Sequence, residues 1–154
     1  MTTTISQQKV VRVTKVFSFD MAHALDEYDG LCKNIHGHTY HLRITVKGKV
    51  LEQEKHPSNG MVIDFGLLKK LVKEIILDRF DHALVLKESS NLITEELLKN
   101  SQRFIQTSFQ PSCENLLTHF VALLQPELPK SVELTSMRLD ETPTSFAEWF
   151  LSDQ

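Results

Sequence analysis

Two stretches near the start of the chain alternate between apolar and polar residues, which is the period-two pattern of a half-buried strand. In the first, from Val11 to His23, the apolar residues fall mainly on odd positions, and His23 continues that side. In the second, from His36 to Val46, His36 and His38 share one side with the apolar residues that follow. Because side chains alternate across a strand, both strands are predicted to present histidines at the end of one inward face.

Two later stretches change to the period of a helix. From Asp64 to about Leu77, apolar residues recur at helical spacing, and Asp64 is placed to cap the helix N-terminus. A second amphipathic helix is predicted to begin after Ser112, which suits the N-cap, and to stop at Pro126. Glu114 suits the positive end of that helix dipole. Both helices are expected to lay one apolar face on the sheet.

Shorter elements fill the rest of the chain. A short helix is predicted over Thr94 to Lys99 and a strand over Arg103 to Phe109. Two C-terminal strands follow, Val132 to Glu141 and Thr144 to Leu151, separated by Thr142-Pro143. The order β-β-α-α-β-β, with these extra pieces, indicates an α+β protein with its helices on one face of the sheet.

Length and composition restrict the class of protein. A chain of 154 residues is expected to form a single domain, 1–154, with 1–9 as a flexible tail. The hydrophobic content of 41% is ordinary for a globular domain, and the net charge of −3 and pI near 6.1 lack the excess positive charge that binds nucleic acid or an anionic membrane. No signal peptide or membrane span is recognisable, so a cytoplasmic protein with a small-molecule partner is predicted.

The three histidines at the strand ends predict a metal site. Three unrelated histidines are the alternative, but His23, His36 and His38 are expected on one face. Three neutral imidazoles with an open fourth position are typical of catalytic zinc, whereas a structural site needs a fourth ligand. Cys32 is the candidate for that ligand. A second interpretation is that Cys32 does not bind the cation but lies beside it, where its thiolate could act as a base or nucleophile. A third is that Cys32 is simply a small, buried hydrophobic side chain.

Three further positions are candidates for chemistry. Asp81-His82 could be a carboxylate orienting an imidazole, or a helix end with a favourable histidine. Since adjacent strand residues point apart, this pair needs a turn in order to cooperate. Glu141 ends an otherwise apolar inward face, so it is expected to have a buried partner or to bind a ligand. Cys113 is expected to be structural or to form a pocket wall.

Six motifs occur in collinear order between about Val11 and Trp149. They are Phe19-x-x-Ala22-His23, Cys32-x-x-x-His36-Gly37-His38-x-Tyr40, Met61-Val62-Ile63-Asp64-Phe65, Asp81-His82, Pro111-Ser112-Cys113-Glu114-Asn115 and Glu141-Thr142-Pro143. Each motif is unspecific alone, but the combination closely resembles the 6-pyruvoyltetrahydropterin synthase and 6-carboxytetrahydropterin synthase family. That resemblance implies a tunnelling fold, with a four-stranded antiparallel sheet and two helices on one face. It also implies a homo-hexamer of two trimers, with active sites between subunits.

The resemblance also implies roles for individual residues. It gives zinc ligands His23, His36 and His38, catalytic groups Cys32, Asp81 and His82, and substrate-binding residues Glu141, Ser112 and Glu114. One carboxylate can accept both the amide and the amine protons of a pterin ring, which explains a ring-binding Glu141. Candidates to bind the triphosphate are Lys33, Arg43 and Arg138.

The implied reaction converts 7,8-dihydroneopterin triphosphate to 6-carboxy-5,6,7,8-tetrahydropterin, acetaldehyde and triphosphate, on the route to 7-deazapurines such as queuosine. The Cys-x-x-x-His-Gly-His spacing and the Glu-Thr-Pro-Thr-Ser ending resemble this branch. Three alternatives remain: the 6-pyruvoyltetrahydropterin reaction, a related pterin enzyme giving an aldol-type product, and a non-catalytic oligomeric module in which Cys32 closes a structural zinc site.

Overall fold

The computed structural model describes residues 9–154, so all but the last residue of the expected tail lies outside the described residues. The strands are β1 (Val10–His23), β2 (His36–Lys49), β3 (Ala83–Lys87), β4 (Phe104–Thr107), β5 (Val132–Thr142) and β6 (Ser145–Phe150). The helices are α1 (Phe65–Val72), α2 (Asp78–Phe80), α3 (Glu95–Asn100) and α4 (Cys113–Leu124). Within residues 9–154, no helix has the length and apolar character needed to cross a membrane.

All six strands form one mixed sheet in the order β4-β3-β1-β2-β5-β6. The four long strands β1, β2, β5 and β6 pair antiparallel. The α+β class is therefore confirmed, but a sheet of only four antiparallel strands is wrong. The short strands β3 and β4 extend the β1 edge, where β3 runs parallel to β1 and β4 runs parallel to β3.

The missed strand β3 has a physical explanation. Its sequence is nearly all apolar, and three of its five residues are buried, so it shows no alternation between two faces. A short strand between two parallel neighbours often has this pattern, which periodicity cannot distinguish from a buried loop or helix segment. The neighbouring strand β4 lies inside the predicted stretch from Arg103 to Phe109.

Helices α1, α2 and α4 pack on one face of the sheet and enclose the hydrophobic core of the described residues. The side chain of Asp64 accepts a hydrogen bond from the Gly66 amide at 2.5 Å, which caps α1 as predicted. A π-helical turn at Lys73–Leu77 joins α1 to α2, so the helical segment ends at Phe80 rather than at Leu77. Buried residues of α1, the π turn, α2 and α4 meet the inward residues of β1, β2 and β5 in one hydrophobic cluster.

The two predicted alternations are confirmed along β1 and β2. Phe17, Phe19 and Met21 are buried in β1, while Tyr40 and the following even-numbered residues through Val46 are buried in β2. This inward face is continuous with the core under the helices. The histidines lie at its end, where β1 stops and β2 begins.

Candidate metal centre and adjoining cleft

The register of the β1–β2 pair brings the three histidines together. His23 lies directly opposite His36, and Met21 lies opposite His38. Because the three rings project from the same face, one potential ligand nitrogen from each lies within 4.8 Å of the other two. His23 is 99% shielded from solvent, and the other two are half-buried. The group can therefore hold a metal ion.

Backbone carbonyls orient two of the three rings. His23 Nδ1 donates to the Pro111 carbonyl at 2.6 Å, and His36 Nδ1 donates to the Asn34 carbonyl at 2.8 Å. A carbonyl can only accept, so each Nδ1 has the proton and each Nε2 has the free lone pair. Within residues 9–154, His36 Nε2 and His38 Nε2 are buried without a hydrogen-bond partner. Since buried polar atoms rarely remain unpaired, these two nitrogens fit metal ligands.

Burial keeps two of the imidazoles neutral. It lowers the pKa of His23 from its ordinary value of 6.5, against the opposing effects of the Pro111 carbonyl and the Glu141 carboxylate. It also lowers the pKa of His38, again against the attraction of Glu141. Neutral imidazole is the form that binds metals, so both rings are ready to bind at neutral pH.

A carboxylate and a buried hydroxyl border the histidine group. Glu141 Oε1 lies 3.5 Å from His23 Nε2 and 3.8 Å from His38 Nε2. The Tyr40 hydroxyl lies 3.4 Å from both Glu141 Oε1 and His23 Nε2. Burial raises the pKa of Tyr40 far above its usual value, so the hydroxyl keeps its proton. Sequence reasoning placed Tyr40 on this face but gave it no role, although its alternation with His38 was the signal available.

A cleft of about 240 Å³ adjoins the histidine group. Its walls include five of the predicted site residues: His23, Cys32, Ser112, Glu114 and Glu141. Cys32 is half-buried in a short 3₁₀ turn, Leu31–Lys33, within the loop between β1 and β2. The loop thus places a thiol beside the histidine group without including it in the set of convergent ligand atoms.

Ser112 and Cys113 have structural contacts in the wall of this cleft. The Ser112 side chain accepts from the Asn115 amide at 3.3 Å and so caps α4. Cys113 is buried and its thiol donates to the Leu139 carbonyl at 3.3 Å. Burial raises the pKa of the Cys113 thiol to about 12, so this cysteine is inert compared with an ordinary thiol.

Asp81 and His82 lie next to each other as expected, but outside the cleft that contains Cys32. His82 has φ of 61°, a left-handed turn that brings its Nδ1 within 2.9 Å of Asp81 Oδ1. The amide of Asp20 donates to the same carboxylate oxygen at 3.0 Å. His82 lines a different cavity of about 660 Å³, next to Asp20 and His38. Within one chain, Cys32 and His82 therefore do not share a cavity.

Two of the candidate phosphate ligands are also placed away from the thiol. Arg43 and Arg138 both pair with the buried Asp140, at 3.3 Å and 2.7 Å respectively. Asp140 and Arg138 alternate with Leu139 and Glu141 along β5, so they face away from the cleft. Lys33, by contrast, is exposed in the same turn as Cys32.

The fold and the site together define a class: an α+β protein with three convergent histidines able to hold a metal ion beside a thiol-lined cleft. A family model described as 6-pyruvoyl tetrahydropterin synthase matches residues 12–150, and the chain belongs to that family.

Relatives and solved structures agree with this assignment. The 6-carboxy-5,6,7,8-tetrahydropterin synthase of Haemophilus influenzae is 38% identical over 141 residues, which cover 90% of this chain and 97% of the relative. The protein of the same name from Rickettsia conorii is 32% identical, covering 90% of this chain and 99% of the relative. The structure of Caenorhabditis elegans 6-pyruvoyl tetrahydropterin synthase has a TM-score of 0.62 at 25% identity, covering 93% and 96% of the two chains.

Proposed function

We propose that the protein is a zinc-dependent 6-carboxy-5,6,7,8-tetrahydropterin synthase acting on 7,8-dihydroneopterin triphosphate. With one water, that substrate would yield 6-carboxy-5,6,7,8-tetrahydropterin, acetaldehyde and triphosphate. The single observation that supports this most is the half-buried Cys32 thiol in a cleft bordered by His23 and Glu141. The names of the relatives from Haemophilus influenzae and Rickettsia conorii point to the same product.

The histidine group suits zinc as the resident metal. Three imidazole ligands with an open fourth position are the usual arrangement in catalytic zinc sites. The unpaired Nε2 atoms of His36 and His38 and the free lone pair on His23 Nε2 would hold the ion. When bound, zinc supplies a Lewis acid for the side-chain oxygens of the substrate.

Cys32 and Glu141 would act from the walls of the cleft. Glu141 would accept the ring amide and amine protons of the pterin, so that one carboxylate fixes the orientation of the ring. Cys32, as thiolate, would remove a proton from the carbon side chain of the substrate. Ser112 and Glu114, at the start of α4, border the same cleft and would contact the substrate there.

A second proton-transfer group would come from a neighbouring subunit. Asp81 Oδ1 lies 2.9 Å from His82 Nδ1, and the His82 side chain is 70% exposed, so its other ring nitrogen would be open to an outside molecule. Because this pair and Cys32 line different cavities of one chain, a shared site would need a second copy of the chain. A cytoplasmic homo-hexamer of two trimers is part of this proposal.

The reaction is tested directly with purified, zinc-loaded protein. Incubation with 7,8-dihydroneopterin triphosphate should release triphosphate and acetaldehyde, and mass spectrometry should detect the 6-carboxy product. A pyruvoyl product with its three-carbon side chain intact would instead support the 6-pyruvoyltetrahydropterin reaction. No conversion of the substrate would overturn both.

Replacing Cys32 separates catalysis from a structural zinc site. We expect Cys32→Ala to lose at least about a hundredfold in kcat, because a catalytic proton acceptor is removed, while the zinc content stays unchanged. The matched control is Leu31→Ala, which removes an 86% exposed side chain from the same turn and should leave kcat unchanged. Loss of metal and of folding in Cys32→Ala would favour the structural module.

A further inference from the structure

The loop that carries Cys32 is held by a residue outside the predicted site. The side chain of Gln110 makes two hydrogen bonds with the backbone of Asp26. The Asp26 amide donates to Gln110 Oε1 at 3.1 Å, and Gln110 Nε2 donates to the Asp26 carbonyl at 2.6 Å. The Gln110 side chain therefore pairs with both backbone groups of Asp26, as a neighbouring strand would. A side-chain amide donates from its nitrogen and accepts at its oxygen, whereas an ionised carboxylate of the same shape can only accept.

The Asp26 side chain is held as well. Ser90 Oγ donates to Asp26 Oδ1 at 2.6 Å, and Ser90 is 93% shielded from solvent. The next residue of the loop, Glu27, has φ of 57°, a left-handed conformation that non-glycine residues adopt only when their surroundings enforce it. The Leu25 amide then donates to the Cys32 carbonyl at 2.9 Å, which connects the held end of the loop to the thiol residue.

The same short segment also fixes a metal-binding histidine. Pro111, next to Gln110, accepts the hydrogen bond from His23 Nδ1 at 2.6 Å. The Gln110 carbonyl in turn accepts from Asn115 Nδ2 at 2.9 Å, which ties the segment to α4. Two adjacent residues thus hold the thiol-bearing loop on one side and the most buried histidine on the other.

We propose that Gln110 is a positioning residue that holds the Cys32 loop against the three-histidine group, with Ser90 supporting it through Asp26. The role of Cys32 in this inference rests on the proposed function, whereas the position of the loop does not. A thiol that must remove a proton works only at a short, fixed distance, and small displacements of catalytic groups cost large factors in rate.

The test is the substitution Gln110→Glu, which keeps the size and shape of the side chain. One carboxylate oxygen still accepts from the Asp26 amide, but the other opposes the Asp26 carbonyl, so the loop loses one hydrogen bond and gains a repulsion. The control is Gln106→Glu, the same change at an exposed position of β4. Ser90→Ala is the milder second variant, because it removes the side-chain contact to Asp26, together with the bond that Ser90 Oγ accepts from the Leu92 amide, and leaves both backbone bonds of Asp26 intact.

Two measurements decide the proposal. Amide hydrogen exchange across the loop from Ala24 to Asn34 should become faster by about tenfold in Gln110→Glu, while α4 and β6 exchange as in the wild type. Turnover should fall by about tenfold in kcat with KM changed by less than about twofold and zinc content unchanged. Ser90→Ala should change both in the same direction by less, and Gln106→Glu should change neither.

Any other result contradicts either the positioning role of Gln110 or the proposed reaction, and the measurements show which of these two hypotheses has failed. Unchanged exchange in the loop overturns the positioning role, as does faster exchange with normal kcat. A kcat that falls only in proportion to lost zinc would also overturn it, since the effect would then come through His23. A wild-type protein that does not turn over the substrate defeats the proposed reaction, and the exchange measurement still decides whether Gln110 holds the loop.

Discussion

The protonation of two histidines in the candidate metal site is set by two opposing effects. Burial favours neutral imidazoles at His23 and His38, while the nearby Glu141 carboxylate favours their protonated forms, and burial has the larger effect. The outcome is a pair of rings that are ready for a cation. The carboxylate also supplies negative charge next to a bound cation, so the same residue can favour both the metal and the substrate.

The lowered pKa values predict how the metal-free protein responds to acid. Above the unfolded-state pKa of about 6.5, His23 and His38 are neutral in both states and have no effect on the free energy of unfolding. As the pH falls below that value, the unfolded chain binds protons first, so the free energy of unfolding decreases. Urea unfolding of the metal-free protein from pH 7.5 to 5.5 measures this.

A variant shows whether the acid effect comes from these rings. His38→Gln should reduce the decrease in the free energy of unfolding, whereas His41→Gln, on the opposite face of β2, should leave it unchanged. An equal decrease in the wild type and in His38→Gln would contradict the assignment to His38.

Glu141→Gln tests the proposed ring contact. An amide can accept at one atom only and presents N–H groups to the pterin donors, so we expect KM to rise by at least about tenfold, equivalent to about 1.4 kcal/mol. Steady-state kinetics measure the change. Glu148→Gln, on the opposite face of the sheet, is the control. If KM is unchanged in Glu141→Gln, the carboxylate does not bind the ring.

Alternation could predict which residues form the site but not every contact. It places His23, His36, His38 and Glu141 on one face because a strand has only two faces. The carbonyls of Asn34 and Pro111 leave no such signal, since every residue has a carbonyl and only the folded chain decides which ones face a ring. The contacts of the Gln110 and Ser90 side chains leave no local signal either, because their partner Asp26 is 84 and 64 positions away along the chain.

At the scale of an element, Arg103 connects β4 to the end of the helical segment. Its Nη1 donates to the Asp81 carbonyl at 2.5 Å and its Nη2 donates to the Asp78 carbonyl at 2.6 Å. Carbonyls at a helix C-terminus lack partners within the helix, so a guanidinium is a favourable partner. The short strand β4 thereby fixes the turn that contains His82.

Arg103→Gln should loosen that turn. With two charge-assisted hydrogen bonds removed from an exposed site, the free energy of unfolding should fall by about 1–2 kcal/mol, and kcat should fall because His82 is less well placed. Denaturant unfolding and steady-state kinetics measure the two effects. Arg12→Gln, exposed at the other end of β1, should change neither. A stable variant with normal kcat would show that Arg103 is not needed to place His82.

Strands and helices were predicted best where the sequence is periodic. The long strands β1 and β2 and both amphipathic helices have apolar residues on one side only, so their sequences indicate their faces. The pairing partners of short strands are set by tertiary contacts. Nothing local in Ala83–Lys87 indicates that it lies parallel between β1 and β4.

At the scale of the whole molecule, the predicted catalytic residues line two different cavities. The cleft with Cys32 and Glu141 lies at the start of α4, whereas His82 lines a separate cavity beside β1 and β2. If the reaction needs both groups, each complete site combines residues of two chains. The oligomer is then required for catalysis and not only for stability.

Mixed oligomers test this shared site. Cys32→Ala and His82→Ala, each inactive alone, should regain about a quarter of wild-type activity when co-expressed at equal levels, because one site in four receives both intact residues. The doubly substituted chain co-expressed with wild type should also give about a quarter. For sites within single chains, the first mixture would stay inactive and the second would retain about half. Activity assays on oligomers purified with two different tags measure these fractions.

The direct pairing of His23 with His36 has a consequence for how such a protein can change over time. These two residues close the loop between β1 and β2 at its base, so the spacing of the metal-binding nitrogens is set by the strands and not by the loop. Changes within the loop that leave the Asn34 carbonyl in place can therefore alter Cys32 and the shape of the cleft while the three histidines keep their spacing. Because loops tolerate sequence change better than paired strands do, the chemistry beside a hairpin of this kind can vary while its ligand spacing does not.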